Sequence, residues 1–208
     1  MQTKIIKMQE GFALEEAASV LNNGGLVVFP TDTVYGLAAK VMDSAAIERI
    51  YDVKGRELTK AIAVLIGDQS QLNEVADQIT NQTQHLLKYF WPGALTAVVK
   101  KRPEIPISLS TNLTLGVRMP DFDFARILIK KVGPLATTSA NISGFDAAIN
   151  AEMAYKQLDG KVDLIIDGGF CSGGVASTVI DCTDESFRIL RAGAITEEQI
   201  RAVLKQNT

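Results

Sequence analysis

The 208-residue chain contains one histidine, His85, and that scarcity excludes a great deal. A Ser-His-Asp or Cys-His system needs a histidine beside its nucleophile. His85 lies in QTQHLLKYFW, an amphipathic helical stretch, where a packing or surface role is expected. Cysteine is nearly as scarce. Cys171 and Cys182 stand eleven positions apart with no CxxC pair and no histidine nearby, which argues against zinc. The spacing leaves a disulfide open, although cytosolic thiols are normally reduced.

Neither a Walker A sequence nor GxGxxG occurs, so any nucleotide is held by another device. No apolar run approaches the roughly 18 residues of a spanning helix. The start, MQTKIIKMQEGFALEEAASV, lacks the long apolar centre of a signal peptide, and a cytoplasmic protein is expected. A basic excess is missing too. With 21 Lys and Arg against 24 Asp and Glu, the net charge is -3, which argues against a protein that coats nucleic acid. Aromatics make up 6%, with no evident stacking motif for single-stranded RNA.

What is present is the composition of a globular protein: 47% hydrophobic residues, 22% charged residues and dispersed glycines. The length fits one substantial core, and a single domain over residues 1–208 is expected, without repeat or linker. Leu14, Ala17, Ala18 and Leu21 recur at helical spacing before Asn22-Asn23-Gly24-Gly25, a helix with a glycine stop. LVVFP follows as a strand, then a helical stretch near 44–52 and the β-rich AIAVLI at 61–66. Two helices are expected within 69–90, strands at ALTAVVK and LGVRMP, a helix near 123–132 ending at Gly133, and a short strand running into TTSANISG. VDLIID, STVIDC and FRILRAG read as strands, and TEEQIRAVLKQ as a helix whose Thr196 and Gln199 fit a capping box. Interleaved elements give an α/β class, and short connections between some strands favour a mixed, twisted sheet.

Five stretches carry candidate site groups, most of them where apolar strands end. In PTDTVYG, Thr31, Asp32 and Thr33 follow a buried-type strand, where open α/β sheets gather ligand groups, although turn formation explains them as well. In YDVKGRELTK, Gly55 is expected to open a loop that carries Lys54, Arg56 and Lys60 as surface cations, suited to phosphate or simply to solvent. TTSANISG offers the hydroxyls of Thr137, Thr138, Ser139 and Ser143 and the amide of Asn141. Arg118, at the end of an apolar run, needs an anionic partner, either a structural carboxylate or a ligand. DGGFCSGGVAST could wrap a phosphate with backbone N–H groups or serve only as a loop.

In this order, FPTDTVYGL, KGRELTKAIAVLI, WPGALT, GVRMP, TTSANISG, STVID and ILRAG resemble the YrdC-like threonylcarbamoyl-AMP synthase family over nearly the whole chain. The most specific marks are Lys54-Gly55-Arg56 and Ser139-Ala140-Asn141. The resemblance implies a twisted α/β sheet with a concave cationic cavity. It also implies a nucleotidyltransferase that makes threonylcarbamoyl-AMP and pyrophosphate from L-threonine, bicarbonate and ATP. The product would feed downstream tRNA threonylcarbamoyl-transfer proteins, with direct tRNA contact open. Carried onto this chain, the pattern gives Thr33, Arg118, Thr137 and Ser177 to L-threonine. It gives Lys54, Arg56, Lys60, Thr114, Ser139, Asn141 and Arg191 to ATP, with Lys54 and Arg56 acting as electrostatic catalysts. Mg²⁺ would bind with the ATP phosphates and need no dedicated protein ligands. Leu65 stands where many members have a threonine-contacting histidine, Ala147 where a nucleotide-contacting hydroxyl is common, and Glu57 where proline is frequent. The alternatives are an RNA-binding module of the same fold and a related carbamoyl-adenylate-forming enzyme.

Overall fold

The computed structural model describes residues 2–55, 57, 61–171, 175–184 and 186–205. In chain order the elements are β1 (Lys4–Lys7), α1 (Ala13–Asn22), β2 (Val27–Phe29), β3 (Gly36–Lys40), α2 (Ser44–Lys54) and β4 (Ala63–Leu65). A short 3₁₀ turn leads into α3 (Leu72–Val75), followed by α4 (Asn81–Phe90), β5 (Leu95–Lys100), β6 (Thr114–Arg118) and α5 (Asp123–Val132). Then come β7 (Leu135–Ser139), α6 (Ala151–Leu158), β8 (Leu164–Asp167), β9 (Thr178–Asp181), β10 (Arg188–Arg191) and α7 (Glu197–Lys205).

The strands form one sheet in the order β1-β8-β2-β3-β7-β4-β6-β5-β9-β10. Its pairing is mixed, as the short connections imply: β1/β8, β2/β8, β4/β6 and β5/β9 are parallel, and the other pairs antiparallel. Helix boundaries follow local chemistry. Asp43 caps α2 by accepting a hydrogen bond from the Ala46 N–H at 3.0 Å, and Gly55 ends it at φ 56°, a conformation that costs glycine little. At α7, Gln199 Oε1 accepts from the Thr196 N–H at 2.8 Å and Thr196 Oγ1 from the Gln199 N–H at 3.3 Å, the reciprocal capping box expected there.

Three elements depart from their sequence signal, the first being β1, a short edge strand held by parallel pairing with β8 where no element is expected. GLAAK, rich in helix formers, is strand β3 because pairing with β2 on one side and β7 on the other overrides its propensity. α6 falls where no element is expected, although Asn150 caps it and Ala151, Ala154 and Leu158 form its buried stripe.

Alternating side chains divide the sheet into two faces. Val28, Leu37, Val64, Ala97, Val117, Ala136 and Ile165 point into a large core against α2, α3, α4, α6 and α7. On the other face, Val27, Phe29, Ala38, Leu65, Leu135, Leu164 and Ile166 pack against α1 and α5. This second core takes no residue from β5, β6 or β9. Its face therefore continues past the helices, and there Ala63, Val98, Gly116 and Val179 are only half-buried although they lie on interior strands.

Candidate functional site

That uncovered face is floored by small and polar residues. Thr137 pairs with Ala38 and Ala63, and Gly116 with Val98. A Cβ on Gly36 would lie 2.9 Å from Thr137 Cγ2, and one on Gly116 would lie 3.1 Å from Thr96 Cγ2, so both glycines keep the floor low. The sheet register gives the floor two ends. β3 begins level with Ser139, whereas Arg118 is level with Leu65, and Leu65 with Leu135. Four residues of strand separate these levels, about 13 Å at the usual rise.

At one end stands Arg118. Its Nε donates to the Gly93 carbonyl at 2.9 Å, Nη1 to Thr33 Oγ1 at 2.9 Å and Nη2 to Asp32 Oδ1 at 2.6 Å. Three of its five N–H donors are thus engaged. Burial pulls its pKa down, the adjacent Asp32 carboxylate pushes it up, and the like charge of Arg191 lowers it again. Asp32 supplies the structural carboxylate that a buried cation requires.

The bond to Thr33 also explains the break after β2. Pro30 follows a strand that is level with the start of β3, yet Thr33 reaches Arg118 at the far level. The turn must therefore fold over the face of the sheet instead of leaving it at the strand end, as the sequence suggested. Thr31 fixes that turn: its Oγ1 donates to the Val34 carbonyl at 2.7 Å and accepts from the Thr33 N–H at 3.1 Å. Gly36 leaves room beneath it.

A hydroxyl chain extends this end across β5 and β9. Thr96 Oγ1 and Ser177 Oγ are 2.8 Å apart, and Arg191 Nη2 donates to the Ser177 carbonyl at 2.9 Å and to its Oγ at 3.2 Å. Arg191, expected with the nucleotide, stands at the Arg118 end. Asp32, a candidate in the PTDTVYG turn, and Thr96 complete this end, and neither is among the residues that the resemblance gives to a ligand. A lone threonine inside a strand gives no signal until its cross-strand neighbours are known.

The other end holds Ser139, Asn141 and Thr114. Ser139 closes β7, and Thr114 opens β6, two residues before Gly116. Lys54 belongs here, but not as the surface cation of an opened loop. It is the last residue of α2 and 1% exposed, with its ammonium on backbone carbonyls of the 139–141 turn, because α2 runs two residues past the expected end before Gly55 turns the chain. Arg56 and Lys60 lie outside the described residues. Leu65, at the place of the family histidine, is 6% exposed and packs in the α1/α5 core.

The glycine-rich stretch after β8 is tied internally where described. Gly168 N–H donates to Tyr35 Oη at 3.1 Å, Gly169 N–H to Asp167 Oδ1 at 3.0 Å and Cys171 N–H to the Ile149 carbonyl at 2.8 Å. Burial drives the Tyr35 hydroxyl up to about 12, and that hydroxyl donates to the Gly169 carbonyl at 2.7 Å. Those three N–H groups are not presented to a phosphate; residues 172–174 of the stretch lie outside the described residues. His85 has the packing role expected of it, with Nε2 3.2 Å from the Val203 carbonyl between α4 and α7. No helix among the described residues is long and apolar enough to cross a membrane.

An open sheet face with a threonine-rich turn folded over one end and a Ser-x-Asn turn at the other agrees with the family resemblance. Residues 19–193 match the Sua5/YciO/YrdC family model, whose description reads "Telomere recombination". The chain belongs to this family. It is 41% identical over 197 residues to the threonylcarbamoyl-AMP synthase of Bacillus subtilis, covering 92% of this chain and 56% of that protein. Against the threonylcarbamoyl-AMP synthase of Pyrococcus abyssi, identity is 39% over 197 residues, covering 94% and 58%. The crystal structure of P. abyssi Sua5 complexed with L-threonine superposes with a TM-score of 0.92 at 37% identity, covering 98% of this chain and 61% of that one. The chain thus spans somewhat more than half the length of these relatives.

Proposed function

We propose that this member of the family is a nucleotidyltransferase that forms threonylcarbamoyl-AMP and pyrophosphate from L-threonine, bicarbonate and ATP, for modification of tRNA. The observation that carries the reading is the two-ended floor: a buried arginine among hydroxyls at one end and the Ser-x-Asn turn at the other, about 13 Å apart along the strands. One face can then hold an amino acid and a nucleotide end to end.

In this reading the carboxylate of L-threonine meets Arg118, whose guanidinium Asp32, Thr33 and Gly93 already orient. Thr33, Thr137 and Ser177 offer hydrogen bonds to its polar groups. The ammonium group of threonine gives up a proton, and the resulting amine condenses with bicarbonate to a carbamate, releasing water. A carbamate oxygen then attacks the α-phosphorus of ATP and expels pyrophosphate. No protein nucleophile is needed, which accords with the scarcity of histidine. Positioning and fixed cations carry the rate, as is general for transfer at phosphorus. Arg56, Lys60, Thr114, Ser139 and Asn141 are proposed for ATP at the far end, with Lys54 supporting that end, and Arg191, beside Ser177 at the Arg118 end, for the ATP phosphates that meet the carbamate.

Mg²⁺, carried by ATP, would supply positive charge against the phosphates as pyrophosphate leaves. Asp32 is engaged by Arg118, so the proposal leaves the metal to ATP and water and not to this carboxylate.

Incubation of the purified protein with L-threonine, bicarbonate and ATP, followed by mass spectrometry, tests the reading. The threonylcarbamoyl adenylate should form. An RNA-binding module would yield no adenylate, and a related carbamoyl-adenylate-forming enzyme would yield none from this mixture but would form one when a carbamoyl donor replaces threonine and bicarbonate.

A further inference from the structure

Lys54 combines two properties seldom found together: an ammonium group and 1% exposure. A buried ammonium carries a heavy desolvation cost unless oxygens replace its water. Here Nζ donates to the Ser139 carbonyl at 2.6 Å and to the Asn141 carbonyl at 2.6 Å, with Asn141 Oδ1 at 3.4 Å. The backbone of Lys54 grips the same turn from the other side, its carbonyl accepting from the Ser143 N–H at 2.9 Å. The cation also sits in the last turn of α2, where the helix dipole favours positive charge.

The turn depends on this grip. Asn141 turns its amide nitrogen away from Lys54, donating to the carbonyls of Ile142 at 2.9 Å and Phe145 at 2.8 Å. The Ala140 N–H donates to the Tyr35 carbonyl at 2.8 Å, and the Phe145 N–H to the Ile142 carbonyl at 3.1 Å. Two main-chain carbonyls and a side-chain oxygen thus point at one spot and would repel each other without a cation among them. Ser139 follows Thr137 by two residues, so its side chain shares the open face, and its backbone position is what Lys54 fixes.

We propose that Lys54 is a positioning residue: its ammonium holds the 139–145 turn in the shape that presents Ser139 to the nucleotide and does not itself bind the triphosphate. The inference rests on the nucleotide reading of this end, but its first test does not.

Lys54→Met keeps the stem and removes the charge. In the ligand-free variant, hydrogen exchange at Ala140, Ser143 and Phe145 should accelerate by about tenfold or more, while amides of α1 and α5 keep their protection. Unchanged exchange at those three amides would overturn the proposal, whatever the protein binds. Calorimetric titration of AMP and of ATP supplies the second arm. A positioning role weakens both by a similar factor, whereas loss confined to ATP means direct contact with the β- or γ-phosphate and overturns the proposal. If the native protein binds neither nucleotide, the functional reading fails and the exchange arm still judges Lys54. Should Lys54→Met not fold, Lys54→Arg serves: the charge is kept, but the planar fork cannot reproduce the donor geometry. AMP and ATP affinity should then fall together, and native affinity for both would count against positioning.

Discussion

Arg118 and Asp32 form a 2.6 Å ion pair whose side chains are only 8% and 16% exposed, beneath a turn that folds over the open face of the sheet. Arg118 therefore has a partner before any substrate arrives. Asp32 holds one side of the guanidinium, so its remaining donors face a fixed direction.

Replacing Arg118 by Ala should separate two effects. Loss of the charge-assisted contact should weaken L-threonine binding by roughly 1.5–3 kcal/mol, about ten- to a hundredfold, with ATP binding much less affected. Leaving Asp32 buried without its cation should also lower the unfolding free energy by about 3 kcal/mol. Calorimetric titration of each ligand beside thermal unfolding reads both. Native threonine affinity in a folded variant would make Arg118 a structural residue alone.

Gly116→Val should fill the floor without breaking the sheet. The new Cβ meets Thr96 Cγ2 at 3.1 Å and Ala63 Cβ at 3.9 Å, so the added methyl groups raise the floor of the open face. A β-branched residue suits a strand, and the stability change should stay within about 1 kcal/mol. Threonine titration should show a marked loss of affinity. Normal affinity would mean that the ligand does not use this face.

The α/β class and most elements follow from periodicity, because α1, α5 and α7 bury the stripes their spacing defines. On α1 the expected Ala17, Ala18 and Leu21 are buried, with Ala13 in place of Leu14, which lies half-buried at the margin. Strand β3 was hidden because its stability comes from two neighbours distant in sequence. Site residues that end apolar runs, such as Thr33, Arg118 and Ser139, were visible as polar interruptions. What sequence could not show was their mutual level on the sheet. That level comes from long-range register, which brings Arg191 to the Arg118 end, while Lys54 reaches the 139–141 turn because α2 runs on to Gly55.

Cys182 gives a pH prediction. Burial pushes its thiol up to about 12 from an ordinary value of 9.0, so between those values the folded chain keeps a proton that the unfolded chain has lost. Its contribution to stability is complete below pH 9 and declines as pH rises towards 12, with a slope of up to about 1.4 kcal/mol per pH unit. Tyr35, raised from 10.0 to about 12, adds a decline of the same sign at somewhat higher pH. Denaturant unfolding of the native protein and of Cys182→Ala from pH 8 to 11 should show a shallower alkaline decline in the variant. An equal slope in both would refute the shift.

The most direct measurement is steady-state pyrophosphate release from ATP with L-threonine and bicarbonate supplied singly and together. The attacking carbamate exists only when both are present, so release is expected with the pair and not with either alone. L-Serine should support a weaker reaction, since one methyl in a pocket is worth about 1–3 kcal/mol. Equal pyrophosphate release in the absence of threonine would contradict the proposed function.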